Sequence, residues 1–145
     1  MISEMESTAK VDLVKAQTCF AGLSEGELDQ LAALFEDASF KAGETLVREG
    51  DFVDSVFLIV EGTVDVQHVT MKNGEVQTQS VATLGSHQAI GLSEKGFYSL
   101  SGRRTATVVA ITDVHTLRLS VPVFNGFALA HPRVSEMMRQ ARHFA

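Results

Sequence analysis

The sequence predicts a mainly β domain of the β-sandwich or jelly-roll type, with helices at both ends. Between Thr45 and Leu119, short β-branched or aromatic runs recur at roughly even spacing and are separated by glycines. This pattern is typical of about eight short strands. Segments with helical spacing flank this region on both sides. The chain has 145 residues, of which 45% are apolar, and this length fits one domain with a single core.

The elements before the strands are predicted to be helical. Residues 1 to about 10 are polar and have no period, so we expect a frayed lead-in. Residues 11–20 fit a short helix. The segment from Ser24 to Glu27 has the form of a capping box, in which each of these two residues caps the backbone of the other. Apolar residues at helical spacing from Leu28 to Phe35 then predict a second helix.

The predicted strands follow once the period changes after Asp37. They run through Thr45–Arg48, Val56–Val60, Val64–Val69, Val76–Leu84, Thr107–Ile111 and His115–Leu119. Asn73 and Gly74 form the strongest short signal for a hairpin turn. Helical spacing returns from Val121 to Leu129, and Pro132 opens another helix that continues through Ala141. We therefore divide the chain into a lead-in and helix (1–19), a β domain (20–130) and a C-terminal helix (131–145).

Composition excludes several classes of protein. Twelve Lys and Arg against 18 Asp and Glu give a net charge of −6, which argues against a nucleic-acid partner. The single cysteine, Cys19, permits no internal disulfide and favours a reducing compartment. No apolar run approaches the ~20 residues of a membrane span, and the N-terminus is acidic where a signal peptide is basic. We expect a cytoplasmic protein.

Residues 85–105 fit neither a strand nor an ordinary helix. They are polar and rich in glycine, and they end at the adjacent pair Arg103 and Arg104. A long polar loop on a rigid β scaffold is where binding sites concentrate. Arginine beside free backbone N–H groups is suited to an anion. Alternatively, both arginines lie on a solvated edge and discourage association between strands.

Several separate motifs fall in the order and spacing of a known family. They are Phe20–Ser24, Phe40–Leu46, Glu49–Asp51, Phe57–Val66, Leu84–Gly91 and Arg104–Ala110. The chain resembles the cyclic nucleotide-binding domain of the catabolite activator protein and of cyclic-nucleotide-dependent kinases. The resemblance implies an antiparallel β-roll, a jelly-roll-like double-stranded β-helix, capped by N- and C-terminal helices. It also implies a ligand, cAMP or cGMP, inside the roll.

The resemblance assigns roles to residues of the loop, which stands where the family has its phosphate-binding cassette. Arg104 would hold the cyclic phosphate together with the backbone of a short helix, and Gly91 would be the glycine at which the backbone approaches the ligand. Thr105 stands where cyclic-GMP-responsive members often carry a threonine that reaches the guanine. The implied binding residues are Ile90, Gly91, Leu92, Ser93, Glu94, Arg104, Thr105 and Ala106.

The chain also departs from the family pattern. Leu92 replaces the glutamate that accepts a hydrogen bond from the ribose 2′-hydroxyl, and His87 replaces an earlier glycine. The segment between Gly91 and Arg104 is longer than the common cassette, so the short helix would be remodelled. A ribose hydroxyl buried without an acceptor loses about 1–3 kcal/mol. Glu94 could supply a substitute carboxylate.

Other chemistries lack their patterns. The five histidines show no His-x-His motif of a cupin metal site, and Cys19 has no patterned histidine partner. Neither of the common glycine-rich phosphate loops is present. No helix-turn-helix follows the roll in this chain. We therefore expect no enzyme activity, no metal, no cofactor besides the cyclic nucleotide ligand, and no nucleic acid.

Two functions remain. The chain is a regulatory module in which a cyclic nucleotide repacks Phe124, Phe127 and the helix at 132–143, or it is a nucleotide-free descendant that serves as a protein-interaction scaffold. Met137, Met138 and Phe144 form an apolar strip that either packs on the roll or makes a homodimer or docks a protein partner.

Overall fold

The computed structural model describes residues 6–93, 96–97 and 102–136. The helices in this part of the chain are α1 (Ser7–Lys15), α2 (Glu25–Leu34) and α3 (Val121–Ala130), with a 3₁₀ turn at Thr18–Phe20. Residues 132–136 are also helical. The strands are β1 (Glu36–Phe40), β2 (Thr45–Val47), β3 (Ser55–Glu61), β4 (Val64–Lys72), β5 (Glu75–Leu84), β6 (Ala89–Ile90), β7 (Leu92–Ser93), β8 (Gly96–Phe97), β9 (Thr107–Ala110) and β10 (Val114–Ser120).

Within the described residues, the longer strands form two four-stranded antiparallel sheets. Their strand orders are β1-β10-β3-β6 and β2-β9-β4-β5, while β7 and β8 pair only with each other. Apolar side chains from both large sheets, such as Ile59 of β3 and Val64 of β4, meet in one buried cluster. The predicted fold class, an antiparallel β-roll with flanking helices, is confirmed.

Strand β3 shows why its sequence is continuously apolar instead of alternating. Val56 and Leu58 belong to the buried cluster that the helices form, whereas Phe57 and Ile59 belong to the cluster inside the roll. Residues 55–59 are all buried for this reason. A strand that is covered on both faces carries apolar residues at successive positions.

The helices cover one face of the sheet that contains β3. The predicted capping box is confirmed: Ser24 Oγ accepts from the Glu27 N–H at 3.2 Å, and Glu27 Oε1 accepts from the Ser24 N–H at 2.8 Å. Phe20 and Phe124 pack with their ring centroids 6.1 Å apart, and both are buried. This aromatic pair connects the 3₁₀ turn that contains Phe20 to α3.

The start of α1 differs from the sequence prediction. The expected frayed lead-in was wrong for residues 7–10, because the helix already begins at Ser7, whereas residues 1–5 lie outside the described residues. Lys10 donates from Nζ to the carbonyl oxygen of Phe35 at 3.2 Å and lies 3.9 Å from Asp37 Oδ2. Leu13 is buried with the other helices. Contacts with distant residues therefore stabilise a polar first turn that has no apolar period of its own.

The hairpin between β4 and β5 turns where the sequence predicted. Lys72 pairs with Glu75, and the two residues between them, Asn73 and Gly74, have φ angles of 54° and 80°. Positive φ at both central positions is the requirement of a type I′ turn, for which Asn-Gly is preferred.

Two other segments differ from the prediction. Strand β1 was not predicted, because Glu36–Phe40 carries one large apolar residue, yet it pairs along its whole length with β10. The short helix implied after Gly91 was wrong for the described residues, which form β7 and β8 with Leu92 opposite Phe97.

Met137 and the rest of the predicted C-terminal strip lie outside the described residues. No helix in the described ranges is long and apolar enough to cross a bilayer.

Candidate ligand-binding site

A cavity of about 330 Å³ lies inside the roll, and its wall is mostly apolar. Val47, Val66, Leu84 and Val108 contribute side chains from β2, β4, β5 and β9. Polar side chains reach this wall at His68, Arg104 and Thr105. A concave, largely apolar pocket of this size with a few polar groups is typical of a small-molecule site.

Arg104 is the buried charged side chain of this wall. Its side chain is 6% exposed, and Nη2 donates to the carbonyl oxygen of Ser55 at 2.7 Å. Longer contacts join Nη2 to Ser55 Oγ at 3.4 Å and to Asp54 Oδ1 at 3.5 Å. These contacts fix the guanidinium at the start of β3. The arginine therefore points into the roll, as the resemblance implied.

Burial lowers the pKa of Arg104 from its ordinary value, and the nearby Asp54 carboxylate opposes this effect. An arginine begins from a pKa so high that the guanidinium keeps its charge in proteins. The Asp54 side chain is 73% exposed, so water shields its charge. The cavity consequently contains a permanent cation with an exposed counterion, an arrangement that favours an anionic ligand.

A backbone ladder places the two arginines on opposite sides of the chain. The Arg104 N–H donates to the Asp51 carbonyl at 2.7 Å, and the Gly50 N–H donates to the Arg104 carbonyl at 2.9 Å. Arg103 bridges to Phe52 in the same ladder, and its guanidinium lies 4.3 Å above the Phe52 ring. Successive residues of extended chain point to opposite faces. The solvated-edge interpretation thus holds for Arg103, which is exposed, and not for Arg104.

Gly91 has to be a glycine for two separate reasons. Its φ angle is +89°, and a Cβ at this position would lie 3.2 Å from Arg104 Nη1 and 3.2 Å from Val56 Cγ1. The backbone at Gly91 therefore lies directly against the guanidinium of Arg104, with no room for a side chain between them.

The structure brings most of the predicted site residues to one cavity. Those that line it are Ile90, Gly91, Leu92, Arg104, Thr105 and Ala106. The backbone of Ser93 pairs with Gly96 in the small β7–β8 sheet. Glu94 lies outside the described residues. Of the described residues that line the cavity, none carries a carboxylate.

His87, at the position where the resemblance expects a glycine, has a backbone conformation that glycine adopts without strain. Its φ angle is +73°, a region in which residues with a side chain are strained. Its N–H donates to the Ile59 carbonyl at 2.7 Å, and its carbonyl accepts from Gln17 Nε2 at 3.1 Å. These hydrogen bonds hold the strained turn that leads into β6.

Sequence reasoning missed the cavity residues that come from the roll itself, His68 above all. Val64, Val66 and His68 alternate along β4, and the latter two line the cavity. This period of two was the available signal. His68 Nδ1 lies 3.3 Å from Glu49 Oε1, a contact across 19 residues that no local pattern predicts.

Cys19 and the acidic and histidine residues show no second reactive site. Cys19 is buried in the helical cluster, and burial raises the pKa of its thiol to about 12. The thiol therefore packs as a small apolar group. In the part of the chain that the structure describes, no three His, Cys, Asp or Glu side chains lie together as a metal site would require.

Comparisons with known proteins agree with this geometry. Residues 37–131 match the family model of the cyclic nucleotide-binding domain. The chain is 30% identical over 120 residues to "Glutaminase 1" of Bradyrhizobium diazoefficiens; the match covers 83% of this chain, which spans only 18% of that protein.

Solved structures share the fold. The N-terminal domain of a transcriptional regulator from Streptomyces coelicolor superposes with a TM-score of 0.74 at 26% identity, covering 91% of this chain and 88% of that one. The regulatory domain of Toxoplasma gondii PKA with cAMP gives a TM-score of 0.70 at 20% identity, with 87% and 47% covered. With the family model matching well over half of its length, the chain belongs to the cyclic nucleotide-binding domain family.

Proposed function

We propose that this chain is a regulatory module that binds cAMP or cGMP inside the roll and transmits binding through its C-terminal helices, without catalysing a reaction. The single observation that carries the proposal is the buried guanidinium of Arg104 on the cavity wall, 3.2 Å from the Cβ position of Gly91. The cavity of about 330 Å³ provides the space, and the guanidinium provides the charge for a cyclic phosphate.

The phosphate contact is expected to supply much of the affinity. Hydrogen bonds to charged groups contribute about 1.5–3 kcal/mol each, and a guanidinium grips two phosphate oxygens with good geometry. Nη2 is already held by Ser55, so the side chain is positioned before the ligand arrives. Such pre-positioning lowers the entropy that binding loses.

The ribose contact is expected to be weak. Leu92 lines the cavity where a carboxylate would accept from the 2′-hydroxyl, and the loss of that acceptor costs about 1–3 kcal/mol. We therefore expect an affinity about ten- to a hundredfold lower than that of a site with the carboxylate. Glu94, which could replace it, stays a prediction from the sequence.

Leu92 also supports the proposed transmission. Together with Ala89 it lines the cavity, and both pack against the helical cluster that contains Phe124 and Phe127. A ligand that moves the backbone at Leu92 would therefore act on this cluster, to which α3 contributes Phe124 and Phe127. The proposed mechanism is a population shift between two packings of these helices.

The proposal is tested by titration calorimetry with cAMP and cGMP on the native chain and on Arg104→Ala. We expect binding that the variant weakens at least tenfold. Arg103→Ala is the matched control, because the neighbouring side chain lies on the surface over Phe52, and it should leave the affinity unchanged. Absence of heat at millimolar nucleotide refutes the proposal, and equal binding by Arg104→Ala refutes the assigned role of that residue.

A second function is favoured by one observation, the apolar Leu92 in place of the carboxylate. In this case the chain keeps the fold as a scaffold that binds a protein partner or a second copy through its C-terminal helix. Silent titrations together with a concentration-dependent dimer in sedimentation would favour it. Binding of either nucleotide with loss in Arg104→Ala would exclude it.

A further inference from the structure

One polar side chain of the cavity wall has no part in the phosphate contact. His68 lies on β4 on the same face as Val66, and both line the cavity. The His68 side chain is 47% exposed, whereas that of Arg104 is 6% exposed. Of these two polar groups, Arg104 therefore lies in the buried part of the cavity and His68 in its more exposed part.

Glu49 lies beside the Nδ1 atom of the His68 ring. Its Oε1 lies 3.3 Å from His68 Nδ1 and accepts from the Val69 N–H at 3.2 Å. Its own N–H donates to Thr107 Oγ1 at 3.0 Å, so β4 and the start of β9 both hold it. A carboxylate only accepts hydrogen bonds. In a neutral ring, a hydrogen bond to this carboxylate requires the proton on Nδ1, which leaves the lone pair of Nε2 to accept a hydrogen bond.

The pairing of β4 with β9 places His68 beside the residues that follow Arg104. Val66 pairs with Val108 and Gln67 with Thr107, so the next position, His68, falls next to Ala106. Thr105 and Ala106 line the same cavity. The phosphate and the base lie at opposite ends of a cyclic nucleotide, so a ligand whose phosphate contacts the buried Arg104 would present its base to the more exposed part of the wall, where His68 lies.

We propose that His68 Nε2 accepts a hydrogen bond from an exocyclic amino group of the purine base, and that Glu49 is the positioning residue for this contact. The inference rests on the proposed function. Adenine and guanine both carry such an amino group, whereas hypoxanthine carries none. The cavity should therefore distinguish cAMP or cGMP from cyclic IMP.

The test is calorimetric titration of the native chain, His68→Leu and His68→Gln with cAMP, cGMP and cyclic IMP. The better of the two amino-bearing ligands should bind the native chain about fivefold more tightly than cyclic IMP, the range expected for one hydrogen bond at a half-exposed site. His68→Leu should remove this preference, and His68→Gln should keep part of it, because the amide oxygen also accepts. Gln67→Leu, on the opposite face of β4, is the control and should keep all of it.

The outcomes separate the base contact from the phosphate site. Equal affinity of the native chain for all three ligands, or a preference that survives in His68→Leu, overturns the inference and leaves the proposed function standing if Arg104→Ala still weakens binding at least tenfold. If none of the three nucleotides binds, both the proposed function and the inference are refuted.

The role of Glu49 has a readout that needs no ligand. In nitrogen-15 spectra of the native chain, the His68 ring should show a protonated Nδ1 and an unprotonated Nε2. In Glu49→Gln the side-chain amide can donate to Nδ1, which should increase the fraction of His68 rings with the proton on Nε2. The preference for the amino-bearing nucleotides over cyclic IMP should then decrease. A native ring with its proton on Nε2 overturns the assignment.

Discussion

Replacing Gly91 by alanine measures how closely the Arg104 guanidinium approaches the backbone. At φ +89°, a residue with a side chain costs about 1–2 kcal/mol. The added Cβ would also lie 3.2 Å from Arg104 Nη1 and from Val56 Cγ1, and Val56 is fully buried. Overpacking of this kind costs about 1–3 kcal/mol. We expect Gly91→Ala to lower the free energy of unfolding by about 2–5 kcal/mol.

Gly102→Ala is the matched control, because Gly102 has φ +77° and, among the residues that the structure describes, none contributes an atom within 4 Å of its Cβ position. It should cost only the backbone strain, about 1–2 kcal/mol. Urea unfolding of both variants with a common m-value gives the two free energies. The loss in Gly91→Ala should exceed that in Gly102→Ala by at least about 1 kcal/mol. Equal losses would show that the close approach does not exist.

A double-mutant cycle measures how much of the cost of Gly91→Ala comes from contact with the Arg104 guanidinium. In an Arg104→Ala background, the Cβ at position 91 meets Val56 but no longer meets Nη1, so Gly91→Ala should cost about 0.5–1 kcal/mol less than in the native chain. Strict additivity of the two substitutions would place Arg104 away from Gly91 and refute the geometry of the proposed phosphate site.

Four further predictions follow. Leu92→Glu should raise the affinity for cAMP or cGMP at least tenfold and leave that for the 2′-deoxy analogue unchanged in calorimetry. Thr105→Ala should weaken the binding of cGMP but not that of cAMP in the same assay. His87→Gly should raise the free energy of unfolding in urea by about 0.5–1 kcal/mol, because a strained φ of +73° becomes relaxed. Since burial raises the pKa of Cys19 to about 12, a disulfide reagent should modify that thiol only after unfolding, and rapid reaction of the folded chain would contradict its burial.

The architecture could be predicted because its signals are local. The capping box at Ser24 and the Asn73-Gly74 turn each depend on a few consecutive residues. The apolar run of β3 reports that both of its faces are covered. Strand β1 is the exception. Glu36–Phe40 lacks β-branched residues, so no local signal predicts the strand, and its pairing depends on the distant strand β10.

The interior of the site could be predicted only in part. The resemblance identified Arg104 and Gly91, but the inward direction of the arginine depends on a ladder with Asp51 and Gly50, about fifty residues earlier in the chain. The position of His68 depends on the pairing of β4 and β9 and on Glu49. Such contacts form between segments that are distant in the sequence, so no local sequence pattern predicts them.

The substitution at Leu92 separates affinity from regulation under the proposed function. A ligand shifts a two-state equilibrium only by the difference in its affinity for the two states. A phosphate contact of about 1.5–3 kcal/mol that is complete in one state shifts the populations about 10- to 150-fold. A ribose contact made equally in both states raises affinity and shifts nothing. Because Leu92 joins the cavity wall to the cluster around Phe124, a leucine there weakens the ligand's hold while it retains the packing through which a bound phosphate acts on α3.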